Sequence, residues 1–269
     1  MTETDRVFAG SIPALYDRYL RPLIFEPYAG ELARRVAAIA PGRVLETAAG
    51  TGVLTRALVE LLPPTAGLVA TDLNQAMLDF AAAQLPTPLV AWRQADALSL
   101  PFEDESFDVV ACQFGAMFFP DKQAAYRQGR RVLRPGGLLV LSVWDRIAEN
   151  EFADVVTEAV AALFPADPPR FLARTPHGYH DTAAIRGDLA AAGFTRLEVE
   201  TVTHRSRAAS HRDPAIGFVQ GTPLRNEIEA RDAARLAEAT EAAAAAVMAR
   251  FGAGPIDGKM QAHIVTASS

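Results

Sequence analysis

A single cysteine, Cys112, stands in the 269 residues. One thiol excludes an internal disulfide and a cysteine-based zinc cage. Set in the run Asp108-Val-Val-Ala-Cys112-Gln-Phe114, it reads as a small buried hydrophobe on a strand. Lysine is scarce too: Lys122 and Lys259 are the only two, and arginine carries the remaining positive charge. With abundant alanine, that usage points to a GC-rich bacterial genome. There is no long basic run, and the formal net charge is −6. Such a chain is repelled by phosphate backbones, so nucleic acid is not an expected partner. No apolar run reaches the ~18–20 residues that cross a bilayer. Met1–Arg6 shows no basic stretch leading into an apolar core, so the cytoplasm is the expected compartment. The five histidines form no HxxxH or His–carboxylate pattern, and no metal is expected.

What the chain has is alternation. Half of its residues are hydrophobic, enough for one large α/β domain with an insertion. Residues 9–40 read as helical, with Leu32, Val36 and Ile39 at helical spacing before Pro41-Gly42. Strand 43–46 follows, then a small-residue loop, 47–52, and a helix, 53–62. The pattern repeats: strand 68–71, helix 75–84, strand 89–93, a polar loop at 99–106, strand 107–114, helix 121–133. Pro135-Gly136-Gly137 then turns the chain into strand 138–144. Strands alternating with helices predict βαβ units and a parallel sheet. Beyond lie a helix at 149–164 with a stripe of Phe152, Val155, Val156, Ala159, Val160 and Leu163, and a Pro-rich loop, 165–179. A helix capped by Asp181, strand 196–204, an Ala-rich helix at about 227–250 and strand 263–267 complete the expectation.

Gly50-x-Gly52 after the first strand is a turn that lets backbone approach a ligand. A dinucleotide fingerprint needs a third glycine beneath the pyrophosphate, and Thr55 stands there. An NAD-dependent oxidoreductase is therefore a minor alternative. Glu46, closing the first strand, would repel a pyrophosphate but suits a cationic ligand. Asp72, closing the second, can accept from both hydroxyls of a ribose. Asp96, after the third, can accept from an adenine amino group while a neighbouring N–H meets a ring nitrogen.

In order along the chain stand Val44-Leu-Glu-Thr-Ala-Ala-Gly-Thr-Gly52, Thr71-Asp72-Leu73, Gln94-Ala-Asp96-Ala97, Phe107-Asp-Val-Val-Ala-Cys-Gln113 and Arg131-Val-Leu-Arg-Pro-Gly-Gly137. The set resembles the successive motifs of class I S-adenosylmethionine (SAM)-dependent methyltransferases, in the group of ubiquinone/menaquinone-type C-methyltransferases. It covers residues 40–145; Arg18–Tyr28 and Pro176–Asp181 also look like segments of bacterial members. The resemblance implies a doubly wound, mostly parallel seven-stranded sheet with the last strand antiparallel and helical lid insertions. It implies one domain over 1–269, with a lid segment at 1–40, a SAM-binding core at 41–145 and substrate-lid helices within 146–269. SAM is the implied cofactor and S-adenosylhomocysteine the product. Ala48 and Gly50 would line the methionine part, with Glu46, Thr47, Thr51 and Gly52 also binding the cofactor. Asp72, Leu73 and Met77 would hold the ribose and near adenine face, and Asp96 with Ala97 the adenine edge. Gln113 and Phe114 would face the sulfonium, and Tyr16, Tyr19 and Phe25 would close over the cofactor. The family usually has glycine where Ala48 stands; alanine there calls for a backbone with φ below zero.

Methyl transfer from a sulfonium asks mostly for alignment and exclusion of water, with a base only if the nucleophile must lose a proton. His177 and His180 are the candidate bases. Met117 and Phe118, in the stretch Phe114–Phe119, together with Tyr179, are candidates for an apolar acceptor pocket. The expected partner is a small, partly apolar organic acceptor, with a homodimer as the assembly. A SAM-binding protein that transfers no methyl group is the main alternative.

Overall fold

The structure, a computed structural model, describes residues 10–268; residues 1–9, which begin the expected lid segment and include Met1–Arg6, lie outside the described residues. Seven strands form one sheet in the order β3-β2-β1-β4-β5-β7-β6. They are β1 (Arg43–Glu46), β2 (Gly67–Asp72), β3 (Val90–Gln94), β4 (Phe107–Gln113), β5 (Leu133–Trp144), β6 (Arg196–Ala208) and β7 (Ile256–Ser268). The sheet is mostly parallel with β7 antiparallel, as expected. Val44 and Leu45 of β1 are wholly buried, the apolar pattern of a central strand covered on both faces. From β1 the chain builds β2 and β3 to one side, then returns to lay β4 and β5 on the other. That reversal opens a crevice at the carboxyl ends of β1 and β4, where ligands of such sheets bind.

The chain divides into two compact units. One comprises Glu26–Val143, His180–Val202 and the segment from Ala262 onward. It holds β1–β4 with the helices α2 (Glu26–Ala37), α3 (Val53–Leu61), α4 (Gln75–Gln84), α5 (Lys122–Val132) and α8 (Thr182–Ala191). Asp121 caps α5 by accepting from Ala124 N at 2.8 Å, and Asp181 caps α8 by accepting from Ala183 N at 2.8 Å. Tyr28 of α2 is fully buried and donates its hydroxyl to the Val202 carbonyl at 2.9 Å.

The other unit comprises the chain through Phe25, Trp144–Tyr179 and Thr203–Gln261. Its helices are α1 (Ile12–Leu15), a π-helical stretch Tyr16–Phe25, α6 (Glu151–Leu163), α7 (Phe171–Arg174), α9 (Arg212–Gln220), α10 (Leu224–Asp232) and α11 (Leu236–Phe251). Ala239, Ala243, Ala244 and Val247 form the buried stripe of α11, which packs on α6 and α9. Gly217 of α9 leaves room for the π stretch: a Cβ there would lie 2.7 Å from Leu20 Cδ2 and 3.1 Å from Tyr19 Cβ.

Several expectations need correcting: the last two strands are longer than expected, β6 reaching Ala208 and β7 starting at Ile256, and the 165–179 loop contains α7. The 9–40 helix is not uniform: Pro22 sits inside the π stretch, and a residue without an N–H fits a widened turn better than an α-helix interior. The expected 227–250 helix is two helices, because Asp232 leaves the helical conformation at φ −160 and its carboxylate accepts from Ala234 N. Before it lies α9, which the sequence reading passed over. Finally, β5 begins at Leu133 rather than after Pro135-Gly136-Gly137. The register with β4 jumps from Phe107↔Leu133 to Val109↔Leu138, so these residues form a bulge inside the strand.

Candidate functional site

At the crevice the loop after β1 turns three times into left-handed backbone, at Ala48 (φ 53), Gly50 (φ 56) and Gly52 (φ 77). Gly52 is required twice over, since a Cβ there would also meet Trp92 at 3.1 Å and Ala81 at 3.2 Å. Met77 is buried beneath the turn, its terminal methyl 3.9 Å from where a Gly50 side chain would begin. The loop is pinned by Thr47 N to Ala111 O and Ala49 N to Thr71 O, both 2.9 Å.

Ala48 corrects the expectation of a negative φ. A left-handed alanine costs about 1–2 kcal/mol. What tolerates it is Gly115: a Cβ on Gly115 would lie 2.4 Å from the Ala48 methyl and 2.9 Å from Cys112 Sγ. The methyl of one residue occupies the space the other leaves. Gly115→Ala should therefore lower the melting temperature by several degrees, and adding Ala48→Gly should recover part of the loss, the contact with Cys112 Sγ remaining. A double variant no more stable than the single one in a thermal melt would refute the pairing.

Glu46 is 1% exposed and accepts from the Thr55 hydroxyl at 2.6 Å. Burial, with Asp72's charge nearby, pushes its carboxyl up to about 8. Thr55, where a dinucleotide site needs glycine, thus serves as the partner of an acid. Asp72 is also buried. Its Oδ2 accepts from Gly50 N at 2.9 Å and its Oδ1 from Asn74 N at 2.8 Å. Burial raises its carboxyl above the ordinary value, and the Asn74 and Gly50 amides pull it back in part. Burial drives the Cys112 thiol up to about 11, which keeps it inert at neutral pH.

Leu73 is 41% exposed beside the buried Asp72, an apolar side chain open to a ligand face. Asp96 is exposed; its Oδ1 accepts from Leu98 N at 2.9 Å, and Ala97 beside it is half-buried. Gln113 closes β4, half-buried; Phe114 is buried at φ 52 and meets Tyr28 edge-on at 5.3 Å. Met117 is buried and Phe118 half-buried in a short helical turn, Ala116–Phe118. The Thr51 hydroxyl is buried with no hydrogen-bond partner among the described residues. Two buried acids, an orphaned hydroxyl and an open leucine fit a cationic ligand that carries a sugar, a base and polar groups.

The other sequence-named residues, His180 apart, belong to the second unit. Tyr16 stacks on Phe25 at 4.8 Å, Phe25 lies 6.1 Å from Trp144, and Trp144 lies 6.0 Å from His177, centroid to centroid. Tyr19 instead faces α9 and has the Arg18 guanidinium over its ring. His177 is buried, and its Nδ1 lies 2.8 Å from the Asp145 carbonyl. A carbonyl only accepts, so Nδ1 carries the proton and Nε2 is the basic atom of the neutral ring. Asn150 donates to that same carbonyl at 3.3 Å, and Gln261 donates to the Asp145 carboxylate at 2.6 Å. Tyr179 is half-buried nearby in sequence. His180 falls in the other unit, next to the α8 cap. Sequence reading missed Thr55 as Glu46's partner and Trp144 as the centre of the aromatic chain. Trp144's place as the last residue of an apolar strand was the available signal.

The methyltransferase domain family matches residues 45–141. A demethylmenaquinone methyltransferase of Mycolicibacterium paratuberculosis is 36% identical over 210 residues, 74% of this chain and 84% of the relative. The ubiquinone/menaquinone biosynthesis C-methyltransferase UbiE of Ectopseudomonas mendocina is 34% identical over 179 residues, 61% of this chain and 70% of the relative. The chain belongs to the class I SAM-dependent methyltransferases, of the ubiquinone/menaquinone C-methyltransferase type. It is an enzyme that methylates a small molecule with SAM as cofactor. Among solved structures the methyltransferase resembles the YcgJ protein of Bacillus subtilis, with TM-score 0.58, 19% identity and coverage of 90% of this chain and 97% of that one. It also resembles a Haemonchus contortus phosphoethanolamine N-methyltransferase 2 bound to S-adenosylhomocysteine, with TM-score 0.61, 16% identity and coverage of 100% and 61%. At those identities the likeness concerns the fold. No helix among the described residues is long and apolar enough to cross a membrane.

Proposed function

We propose that this methyltransferase transfers the methyl group to a ring carbon of an apolar, hydroxyl-bearing aromatic acceptor of the quinol class. The observation that carries the reading is the run of rings Tyr16, Phe25, Trp144 and His177, which ends on a buried imidazole. Flat apolar faces suit a flat apolar acceptor. The names of the relatives, a ubiquinone/menaquinone biosynthesis C-methyltransferase and a demethylmenaquinone methyltransferase, support the same class.

Bound SAM supplies a methyl group on a positively charged sulfur, activated for in-line displacement. In this reading Glu46 and Asp72 meet the cofactor's cationic groups and ribose hydroxyls, Thr51 offers its orphaned hydroxyl, and Asp96 and Ala97 hold the adenine edge. Carbon becomes nucleophilic when a ring hydroxyl loses its proton. His177 Nε2 takes that proton, and the Asp145 carbonyl on Nδ1 steadies the imidazolium that forms. After taking the methyl group, the carbon gives up its own hydrogen as a proton and the ring hydroxyl is restored. The net products are the methylated ring, S-adenosylhomocysteine and one proton.

His177→Asn keeps an amide N–H for the Asp145 carbonyl and removes the base. The expected result is a kcat lower by about 10²–10⁴-fold with SAM affinity unchanged. An unchanged kcat would remove His177 from the mechanism. Incubating the enzyme with labelled SAM and a panel of quinols, phenols and amines tests the acceptor class. Methylation confined to amines would reject the carbon-transfer reading.

A further inference from the structure

Between β3 and β4 the chain runs without a helix or strand from Ala95 to Ser106. Its start is tied to the chain around the end of β2: Ala95 N donates to Asp72 O at 3.0 Å, and the side-chain amide of Gln94, which closes β3, donates to Leu73 O at 2.8 Å. Asp96 begins a tight turn, with Ser99 N on its carbonyl at 2.9 Å and Leu98 N on its carboxylate at 2.9 Å. A loop of this length leaves such a turn free to drift unless its far side is also fixed.

Arg131 does most of the fixing. Arg131 Nη1 donates to the Phe102 carbonyl at 2.8 Å and to Asp104 Oδ1 at 2.6 Å. Its Nη2 donates to the Leu100 carbonyl at 2.8 Å and to Gln128 Oε1 at 2.9 Å, and its Nε reaches Gln128 Oε1 at 3.3 Å. Each of the five guanidinium N–H groups has an acceptor. Gln128, one turn earlier on α5, also accepts from Leu100 N at 3.2 Å. Backbone bonds extend the seam: Glu105 N to Arg131 O at 3.0 Å and Ser106 N to Val132 O at 2.8 Å. Phe102, under the Arg93 guanidinium, packs edge-on against Phe107 at 5.2 Å. A planar fork with five directed donors is what holding three acceptors of a loop requires; an ammonium at the same place cannot reach them together.

We propose that Arg131, with Gln128, is a positioning residue for nucleobase recognition: it clamps residues 100–104 and so holds Asp96 and Ala97 where they read the adenine edge of SAM. The inference rests on the assignment of Asp96 to the adenine amino group. It makes Arg131 a determinant of which base is accepted, although the groups it bonds all belong to the protein.

The test compares two ligands by calorimetry, S-adenosylhomocysteine and S-inosylhomocysteine, in which oxygen replaces the adenine 6-amino group. The wild-type enzyme should prefer the adenosyl ligand by about tenfold or more, the size of a lost bond to a charged group. In Arg131→Lys the adenosyl ligand should weaken by about tenfold and the inosyl ligand little, so the preference approaches unity. A variant that weakens both ligands equally, keeping the wild-type ratio, would overturn the clamp while leaving the Asp96 assignment standing. A wild-type enzyme with no preference would overturn the Asp96 assignment, and the clamp with it. Gln128→Ala removes the second anchor without touching the guanidinium. It should lower the ratio by a smaller factor, which keeps the question answerable if Arg131→Lys fails to fold.

Discussion

Asp72→Ala should weaken SAM binding by about 10–100-fold while the apo-enzyme melts within a few degrees of wild type. The binding loss has two sources. The first is the charge-assisted bonds that, on the proposed reading, the carboxylate makes to ribose hydroxyls, each worth roughly 1.5–3 kcal/mol. The second is the loop itself. Asp72 ties Gly50 N to the end of β2 and also holds Asn74 N, so its loss frees the left-handed turn that, on the same reading, lines the methionine part. Folding stability moves less because two effects oppose. Two amides lose an acceptor, at about 1–3 kcal/mol each if they stay dry. A buried carboxylate, which burial already drives above its ordinary value, also disappears. Asp72→Asn should bind SAM almost as weakly as the alanine variant. Its NH₂ must face either Gly50 N–H or Asn74 N–H, donor against donor. Calorimetry decides: wild-type affinity in a folded Asp72→Ala protein would show that the ribose has another ligand.

Much of this site was legible before any coordinates, and the reason is geometric. Glu46 and Asp72 close strands, and Asp96 follows one closely, so a strand-by-strand reading finds all three. Gly50 and Gly52 mark left-handed backbone because the residue type is itself the signal. Other features depend on neighbours far along the chain. The φ of Ala48 makes sense only beside Gly115, 67 positions later (115 − 48). The Pro135-Gly136-Gly137 bulge looks like a turn until the register with β4 is known. Asp232 reads as an ordinary helical carboxylate, and nothing local says that it will cap Ala234 and break the Ala-rich helix. Tyr16 and Phe25 carried no signal that they meet Trp144, whose place at the end of an apolar strand was the one hint, because their contacts are set by packing rather than by period. The same holds for Arg131, which looks like one of several arginines on α5 until its acceptors are seen.

Raising the pH from about 6 to about 8 should tighten SAM binding, by up to about tenfold per unit, and the effect should level off above about 8. Glu46 is the cause. Its carboxyl, wholly buried and facing Asp72's charge, titrates at about 8 rather than the ordinary 4.5. Thr55's hydroxyl and the Arg56 charge favour the ionised form, but burial wins. Below about 8 the apo-enzyme therefore holds a proton that the cationic cofactor must expel, and each unit of pH removed costs up to about 1.4 kcal/mol of binding. Stability of the apo-enzyme runs the other way. Between about 4.5 and 8 the native state keeps a proton that the unfolded chain has released, so stability falls as pH rises through that window and is flat beyond it. Glu46→Gln retains an acceptor for the Thr55 hydroxyl and carries no titrating proton. In this variant both slopes should flatten. S-adenosylhomocysteine, whose sulfur is neutral, should show the shallower slope of the two ligands in the wild-type enzyme. On the proposed reading, Glu46 gains from a cationic charge that the reaction removes, which would favour release of the product over the cofactor. Parallel pH profiles for the two ligands, or an unaltered SAM slope in Glu46→Gln, would show that this proton is not coupled to the sulfonium.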